Sequence, residues 1–339
     1  MTSKVYLEAI GLACPVGLTA QTACAAMRAG ISRRKEMPYL DEKGRPLVGS
    51  FHGEPASGES VAQRALKLLR IALRDLLRQV RPDSLQQTAI LCVLPPQGGQ
   101  TLAVAMVAQH LSEYCGEPID PRHVHVLSGG AYAGLQAIAS ARALVGSRSY
   151  EAVLVCGADS LINARVLLRL NDEYRLFTDD NSDGVTPGEA AACVLITGDP
   201  YRARATVAGI GLAKEPALLT NDIPLRGDGI TAAARDALRE ATMGMHDLHF
   251  RLSDAAAEGY SFKEQVLVLS RLLRRNMESF PLWLTARSLG DVGASAGLCS
   301  IIWAVVAFER GYAPGPHAIV YAAQQTGERA ALILSAGRG

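Results

Sequence analysis

The sequence predicts an α/β protein built from two similar halves. Short runs that are apolar throughout, such as 88–94 and 152–156, indicate strands that are covered on both faces. A longer segment with apolar residues at helical spacing, at 60–80, indicates a helix that covers such a sheet. Strands and helices alternate along the chain, and a similar βαβαβ order repeats after about residue 200.

Length and composition agree with this fold class. The 339 residues exceed the roughly 100–200 residues of one compact domain, so we expect two lobes. Apolar residues make up 49% of the chain and aromatic residues only 5%, which suits tightly packed helices on a buried sheet. No Pro- or Ser-rich linker separates the expected N-terminal half (1–200) from the C-terminal half (201–339).

An amphipathic segment at 60–80 belongs to the first half. Ala65, Leu69 and Leu76 share one face at helical spacing, whereas Arg64 points elsewhere. The segment therefore predicts a helix on the surface of the protein.

A strand, a tight turn and a buried helix are predicted in the middle of the first half. Apolar runs at 124–127 and 152–156 flank the segment SGGAYAGLQAIASARALVG. Gly129 and Gly130 permit a tight turn, and the alanine-rich stretch 131–144 is typical of a helix inside the fold.

The second half shows a similar alternation. Strands are predicted at 205–212, 248–253, 282–285 and 330–335, and helices at 230–241, 262–277 and 294–308. The last helix is apolar on all sides, so we expect it to be buried.

Charge and cysteine content exclude several classes of function. With 34 basic and 33 acidic residues, the chain is not expected to bind nucleic acid or an anionic membrane. Its seven cysteines show no C-x-x-C pattern and indicate buried free thiols in a reducing cytoplasm. No apolar run approaches the ~20 residues of a membrane span, and no signal-peptide pattern is found, so a cytoplasmic location is expected.

Four stretches, in the same order, resemble the ketoacyl-synthase branch of the thiolase superfamily. They are IGLACPVGLTAQTACAAMRAGIS, AYAGLQAIASARALVGSRSYEAVLVCGADS, FTDDNSDGVTPGEAAACVLI and LGDVGASAGLCSIIWAVVAFERG. The resemblance covers nearly the whole chain and implies a thiolase-like α/β fold with five αβαβα layers, built from two pseudo-duplicated halves. It also implies a dimer that forms through the strand next to the nucleophile helix.

The resemblance places the nucleophilic cysteine of the family at Ala131. That cysteine lies just before a segment similar to 134–138 (GLQAI). Condensation needs a thiolate at a helix N-terminus, where the dipole and free N–H groups lower the thiol pKa and bind an oxyanion. A methyl group cannot carry an acyl chain.

The other residues of condensation chemistry are also replaced at the positions that the resemblance indicates. Counting back from Glu264 places Ser253 at the first family histidine. The segment ARSLGDVGASAG places Ala286 at the lysine and Asp291 at the second histidine, and the gating loop aligns with Gln325. The chain is therefore expected to be a degenerate member that does not catalyse condensation.

Three residues are candidate binding residues of the emptied cleft. Ser128 supplies a hydroxyl, Asp291 supplies a carboxylate, and Tyr132 either plugs the former acyl pocket or faces a partner. No histidine is visibly placed as the base of a hydrolase. No cofactor and no metal are expected, because His123 and His125 lack a third ligand nearby.

Three functions remain open from the sequence. The first is a non-enzymatic adaptor, similar to thiolase-like accessory proteins of type VI secretion loci, with a secretion effector or its chaperone as partner. The second is a subunit similar to chain-length factors, which pairs with an active ketosynthase and meets an acyl carrier protein. The third is a repurposed acyl-thioester hydrolase. We expect a homodimer, or a heterodimer with another thiolase-fold protein.

Overall fold

The computed structural model describes residues 4–54, 59–81, 85, 88–95, 100–116 and 118–337. The strands of the first half are β1 (Val5–Ala13), β2 (Arg34–Leu40), β3 (Pro46–Ser50), β4 (Thr88–Leu94), β5 (Val124–Ser128), β6 (Ala152–Ser160) and β7 (Glu189–Thr197). Its helices are α1 (Ala20–Arg28), α2 (Val61–Leu77), α3 (Gln100–Cys115), α4 (Ala131–Gly146) and α5 (Ala164–Asp172).

The second half is built in the same way. Its strands are β8 (Ala205–Lys214), β9 (Phe250–Ser253), β10 (Leu282–Leu284), β11 (His317–Ala323) and β12 (Glu328–Ala336). Its helices are α6 (Asp228–Ala241), α7 (Gly259–Leu272), α8 (Ala286–Leu289) and α9 (Ala296–Glu309).

The two halves repeat one strand order. The first half runs β5-β4-β6-β7-β1 across the sheet, and the second runs β10-β9-β11-β12-β8, so corresponding strands occupy corresponding places. The sense of pairing is also repeated: β4 is parallel to β5 and β6, as β9 is to β10 and β11, and the other pairs within each half are antiparallel. The pseudo-duplication expected from the sequence is therefore present, and residue 200 falls between β7 and β8.

Helices separate and cover the two halves of the sheet. Antiparallel pairing of β1 with β8 joins the halves into one ten-stranded sheet. Helices α4 and α9 contact strands of both halves, whereas α2 packs on the first half and α6 on the second. This arrangement gives the five αβαβα layers.

The apolar core explains which segments form the central layer. Helix α9 has twelve buried residues out of fourteen, so it is apolar on all sides as the sequence predicts. Strands β4, β6 and β7 are buried at every position, as expected for strands with helices on both faces. Alternate residues of these strands pack into two core clusters, one shared with α4 and α9 and the other with α2.

Arg64 corrects the prediction for helix α2. The helix forms as predicted, but the Arg64 side chain is buried and does not point into solvent. Its Nε donates to Oε2 of the fully buried Glu189 at 2.5 Å, and Glu189 also accepts from the Ser160 hydroxyl at 2.8 Å. The buried carboxylate provides the partner that makes burial of the guanidinium possible.

Three details differ from the sequence predictions in the second half. Helix α7 begins at Gly259 and ends at Leu272, because the backbone of Leu273 is already extended. Strand β11 was not predicted, although it is the neighbour of both β9 and β12. Strand β9 is shorter than predicted and ends at Ser253.

The segment DGVTPGEAA forms a close turn that requires glycine. A Cβ on Gly188 would lie 2.0 Å from the carbonyl oxygen of Leu289, so no larger residue fits there. In the part of the chain that the structure describes, no helix has the length and hydropathy to cross a membrane.

Candidate functional site

A cavity of about 330 Å³ lies where the two halves meet at the N-terminus of α4. It is bordered by the carboxyl-terminal ends of β6, β9 and β11, which is where α/β folds usually bind ligands. The polar residues of its wall are Asp159, Arg169, Arg175, Asp254, Glu258, Tyr260, Ser261, Glu264, Asp291, Gln324, Gln325, Thr326 and Arg329.

Ala131 is the first residue of α4 and contributes only a methyl group to the cavity. The preceding residue, Gly130, is the N-cap and has no side chain to bond the free N–H groups. Oε1 of Gln324 accepts a hydrogen bond from the Gly130 N–H at 3.0 Å, and its Nε2 donates to Thr326 at 3.0 Å. A neutral amide from the loop after β11 therefore contacts the end of the helix where an anion would bind.

Asp159 is held at the end of β6 by backbone donors. Its Oδ2 accepts from the Ala294 N–H at 2.9 Å and its Oδ1 from the Ser160 N–H at 2.8 Å. Burial disfavours the charged carboxylate and raises the pKa of Asp159 to about 7, although both hydrogen bonds act in the opposite direction.

Asp254 follows β9 and contacts the end of β11. Its Oδ2 accepts from the Ala323 N–H at 2.8 Å, and its Oδ1 accepts from the Ser253 hydroxyl at 3.3 Å. Burial raises the pKa of Asp254 to about 7, and the negative charge of Asp291 contributes in the same direction.

Asp291 is fixed by both its backbone and its side chain. Its N–H donates to Thr186 and its carbonyl accepts from Gly188, each at 2.8 Å, so it is tied to the segment before β7. Its Oδ1 accepts from the Gly293 N–H at 2.9 Å, and burial raises the pKa of the carboxyl group. The cavity thus contains three aspartates whose pKa values are all raised.

The positive charges of the cavity wall are already paired. Nε of Arg329 donates to both carboxylate oxygens of the buried Glu264, at 2.8 and 3.0 Å. Arg175 makes a two-fold contact with Glu258 at 2.5 and 2.8 Å. Arg175 and Arg329 are therefore each paired with a glutamate of the same wall, which leaves neither guanidinium available to an anion.

Known proteins share this fold. No family model matches the sequence. A putative mitochondrial 3-oxoacyl-[acyl-carrier-protein] synthase of Schizosaccharomyces pombe is 24% identical over 212 residues, which are 56% of this chain and 50% of that protein. The match therefore spans only half the length of this curated relative.

Solved structures are similar over the whole chain. A ketosynthase in complex with its chain length factor, from Xenorhabdus doucetiae, matches with a TM-score of 0.77 at 17% identity and covers 98% of each chain. A type II polyketide synthase acyl-carrier protein in complex with its ketosynthase matches with a TM-score of 0.81 at 12% identity, covering 99% of this chain and 100% of that chain. The chain has the thiolase-like fold of ketosynthases. The predicted fold class is confirmed.

Ala131, Asp291 and Gln325 line the cavity of this ketosynthase fold, at the start of α4, after α8 and after β11 respectively. The structure therefore brings together three of the residues that the sequence analysis selected. Their expected lack of condensation chemistry stays a prediction.

Ser253 is a correction, because its side chain does not line the cavity. It is fully buried at the end of β9, and its hydroxyl accepts from the Ala255 N–H at 3.1 Å. Successive side chains of a strand point to opposite faces, so the residue that faces the cavity is the next one, Asp254. Whether Ser253 or Asp254 corresponds to the family histidine stays a prediction.

Ser128, Tyr132 and Ala286 also lie outside the cavity wall. Ser128 is exposed at the end of the edge strand β5. Tyr132 is partly buried against the central core, so its ring neither plugs this cavity nor binds within it. Ala286 is buried at the start of α8.

Two contributors to the site were not found from the sequence. Gln325 was placed at the gate, but its neighbour Gln324 is the residue that bonds the N-terminus of α4. Asp159 was not selected as a site residue; it accepts from the Ala294 N–H and also faces the cavity. The sequence carries no signal that separates Gln324 from Gln325.

No histidine contributes to the cavity. All seven histidines belong to the described residues, and none of them lines it. His123 lies just before β5 and bonds the Tyr150 hydroxyl at 3.0 Å. Within the described ranges, no group of His, Cys, Asp or Glu has the arrangement of a metal site.

Proposed function

We propose that this chain is a non-condensing subunit with the ketosynthase fold, which acts by pairing with an active ketosynthase in the manner of a chain-length factor. The observation that carries the proposal is the methyl group of Ala131 at the first position of α4. In ketosynthases that the sequence resembles, this position holds the cysteine that carries the acyl chain.

No described cysteine lines the cavity, so no thiol takes the place of the missing nucleophile. The described cysteines Cys14, Cys24, Cys92, Cys156, Cys193 and Cys299 are all buried, and none of them lines the cavity. Burial raises the pKa of the Cys92, Cys156 and Cys299 thiols, which keeps them protonated at neutral pH.

The residues of the cavity wall also give no support to decarboxylation of an extender unit. That step needs donors that stabilise an enolate, and the cavity wall presents Asp254 and Asp291 instead. When ionised, these carboxylates repel an enolate. When protonated, they still accept hydrogen bonds from the backbone N–H groups of Ala323 and Gly293, which hold the two side chains in place.

The comparisons support one kind of partner over another. The complex from Xenorhabdus doucetiae pairs a ketosynthase with its chain length factor, and a chain of it aligns with this protein end to end. The relatives described above give no support to a secretion effector as partner, so we place the adaptor hypothesis second. The hydrolase hypothesis loses both of its candidate serines, because Ser128 and Ser253 lie outside the cavity.

The first test is catalytic. Purified chain is incubated with acyl-loaded and malonyl-loaded acyl carrier protein, and mass spectrometry follows acyl adducts and ketoacyl product. We expect neither from this chain alone, and a ketosynthase of known activity serves as positive control. Ketoacyl product from this chain alone contradicts the proposal.

The second test concerns pairing through β5, which is the edge strand next to α4. The Gly129 N–H donates to the Leu94 carbonyl on β4, so by alternation the Val126 N–H points away from the sheet. Val126→Pro removes that donor. In co-expression with a ketosynthase that co-purifies with this chain from its native cells, we expect a 1:1 complex for the wild type and its loss for Val126→Pro, with an unchanged far-UV circular dichroism spectrum. A variant complex of wild-type strength contradicts pairing through this edge.

A further inference from the structure

A second pocket lies at the opposite end of the sheet from β5, and we name it the aromatic pocket. It has a volume of about 350 Å³, and its wall includes Arg28, Trp283, Arg287, Trp303 and Tyr312. These residues come from the end of α1, strand β10, helix α8, helix α9 and the turn after α9. The aromatic pocket shares no residue with the central cavity.

Three stacked rings form the apolar part of the wall. The Trp283 and Trp303 ring centroids lie 4.9 Å apart with planes inclined by 32°, and Trp283 stacks on Tyr312 at 6.1 Å. Phe250 supports Trp283 from the core at 4.6 Å. Such preorganised rings offer a large apolar contact area at low entropic cost to a ligand.

Two buried polar groups in this wall are unsatisfied. The indole N–H of Trp303 and the hydroxyl of Tyr312 are buried and face each other, and neither meets the geometry of a normal hydrogen bond. Trp303 is only 7% exposed. A buried donor without a partner is costly, so an oxygen atom of a bound molecule would relieve that cost.

The charges at the rim are positive and unpaired. The Arg28 guanidinium lies 4.4 Å from the centre of the Tyr312 ring, which leaves its N–H groups free at the edge of the pocket. Arg287 is exposed on the same rim. Neither arginine forms an ion pair with any carboxylate among the described residues. Arginine at such a site matches the geometry of a carboxylate.

We propose that the aromatic pocket binds a small molecule with an apolar body and a carboxylate, whose body lies on Trp283 and whose carboxylate pairs with Arg28 and Arg287. This site is independent of the proposed pairing with a ketosynthase, and either proposal stands if the other fails.

The chain offers a direct readout, because its only two tryptophans both line this pocket. Octanoate is titrated into the protein while tryptophan emission is recorded, with octanol and acetate as matched probes that lack the charge or the apolar body. We expect a saturable change in emission with octanoate, binding of octanol at least about tenfold weaker, and no change with acetate. No change in emission up to millimolar octanoate overturns the proposal.

Variants locate the binding. Arg28→Met and Arg287→Met are each expected to weaken octanoate binding about tenfold, because each removes one charge-assisted contact. Arg235→Met is the matched control, since Arg235 is exposed on α6 far from this pocket, and we expect wild-type binding for it. Octanoate binding that is equal in all three variants places the ligand elsewhere and contradicts the proposal.

Discussion

The central cavity and the aromatic pocket have similar volumes, about 330 and 350 Å³. They differ in whether the charged side chains of their walls are paired. In the central cavity the arginines are committed to glutamates, and the aspartates Asp159, Asp254 and Asp291 accept backbone N–H groups. In the aromatic pocket the arginines form no ion pair with a described carboxylate, and the buried Trp303 N–H and Tyr312 hydroxyl lack a hydrogen bond of normal geometry.

This difference separates groups that serve the fold from groups that are available to a ligand. The position of the central cavity follows from strand ends that every protein of this fold brings together, whereas its chemistry depends on a few side chains. Here those side chains are used for structure. The unpaired arginines Arg28 and Arg287 lie instead at the aromatic pocket.

The largest expected effect comes from breaking a paired arginine of the central cavity. Arg329→Met leaves Glu264 buried without its partner, and both side chains are 3% exposed. We expect a loss of about 3–5 kcal/mol in the free energy of unfolding, measured by urea denaturation at pH 7.5.

Arg287→Met is the matched control, because that arginine is exposed and unpaired at the aromatic pocket. Its effect should stay within about 0.5 kcal/mol. Equal losses in the two variants would remove the distinction between structural and available arginines.

A smaller and pH-dependent effect is expected at Asp254. Its pKa is raised to about 7, so the folded protein binds this proton more tightly than the unfolded chain does, and stability falls as the pH rises from 4 through 7. Asp254→Asn keeps the acceptor for the Ala323 N–H and removes the charge. We expect it to be neutral at pH 4 and stabilising at pH 8.5 by on the order of 2 kcal/mol, measured as thermal midpoints across this range.

The exposed Asp222 supplies a control for the removal of one negative charge at a site that is not buried. Asp222→Asn should leave the pH profile of the thermal midpoint unchanged. A profile for Asp254→Asn that runs parallel to that of the wild type would show that Asp254 is not a buried, protonated group.

A still smaller effect is expected at the N-terminus of α4. Gln324→Ala removes the acceptor of the Gly130 N–H and should cost about 1 kcal/mol while accelerating hydrogen exchange at Gly130. Gln325→Ala is a close control, since Gln325 is the exposed neighbour in the same loop. If the Gly130 N–H exchanges at the wild-type rate in both variants, the side-chain amide of Gln324 does not protect the N-terminus of α4.

The smallest expected effect is on catalysis. Ala131→Cys restores a thiol at the start of α4, but the groups that stabilise an enolate remain absent from the cavity wall. We expect no ketoacyl product from this variant above the background of the wild type, as followed by mass spectrometry. Product from this single change would show that the cavity still supports condensation.

Much of the fold could be predicted from the sequence because its buried strands and helices carry strong local patterns. Strands β4 and β6 are apolar throughout and were found at their correct positions, as was the all-apolar helix α9. Strand β11 was missed although HAIVYAA is also a short apolar run. A local pattern was therefore present there and was overlooked.

The site was less predictable because it depends on which neighbour faces inward. Asp254 and Gln324 each lie one residue from the position selected by counting along the sequence. Which of two neighbouring residues contacts the site depends on where strands β9 and β11 end. The pairing of Arg64 with Glu189 joins residues 125 apart in the chain. No local periodicity of the sequence predicts a contact between residues so far apart.

The measurement that tests the central claim most directly is affinity purification of the tagged chain from its native cells, followed by mass spectrometry. We expect recovery of a thiolase-fold ketosynthase that retains its cysteine and histidines, together with an acyl carrier protein. Recovery of secretion effectors or their chaperones without any ketosynthase would contradict the proposed role and restore the adaptor hypothesis.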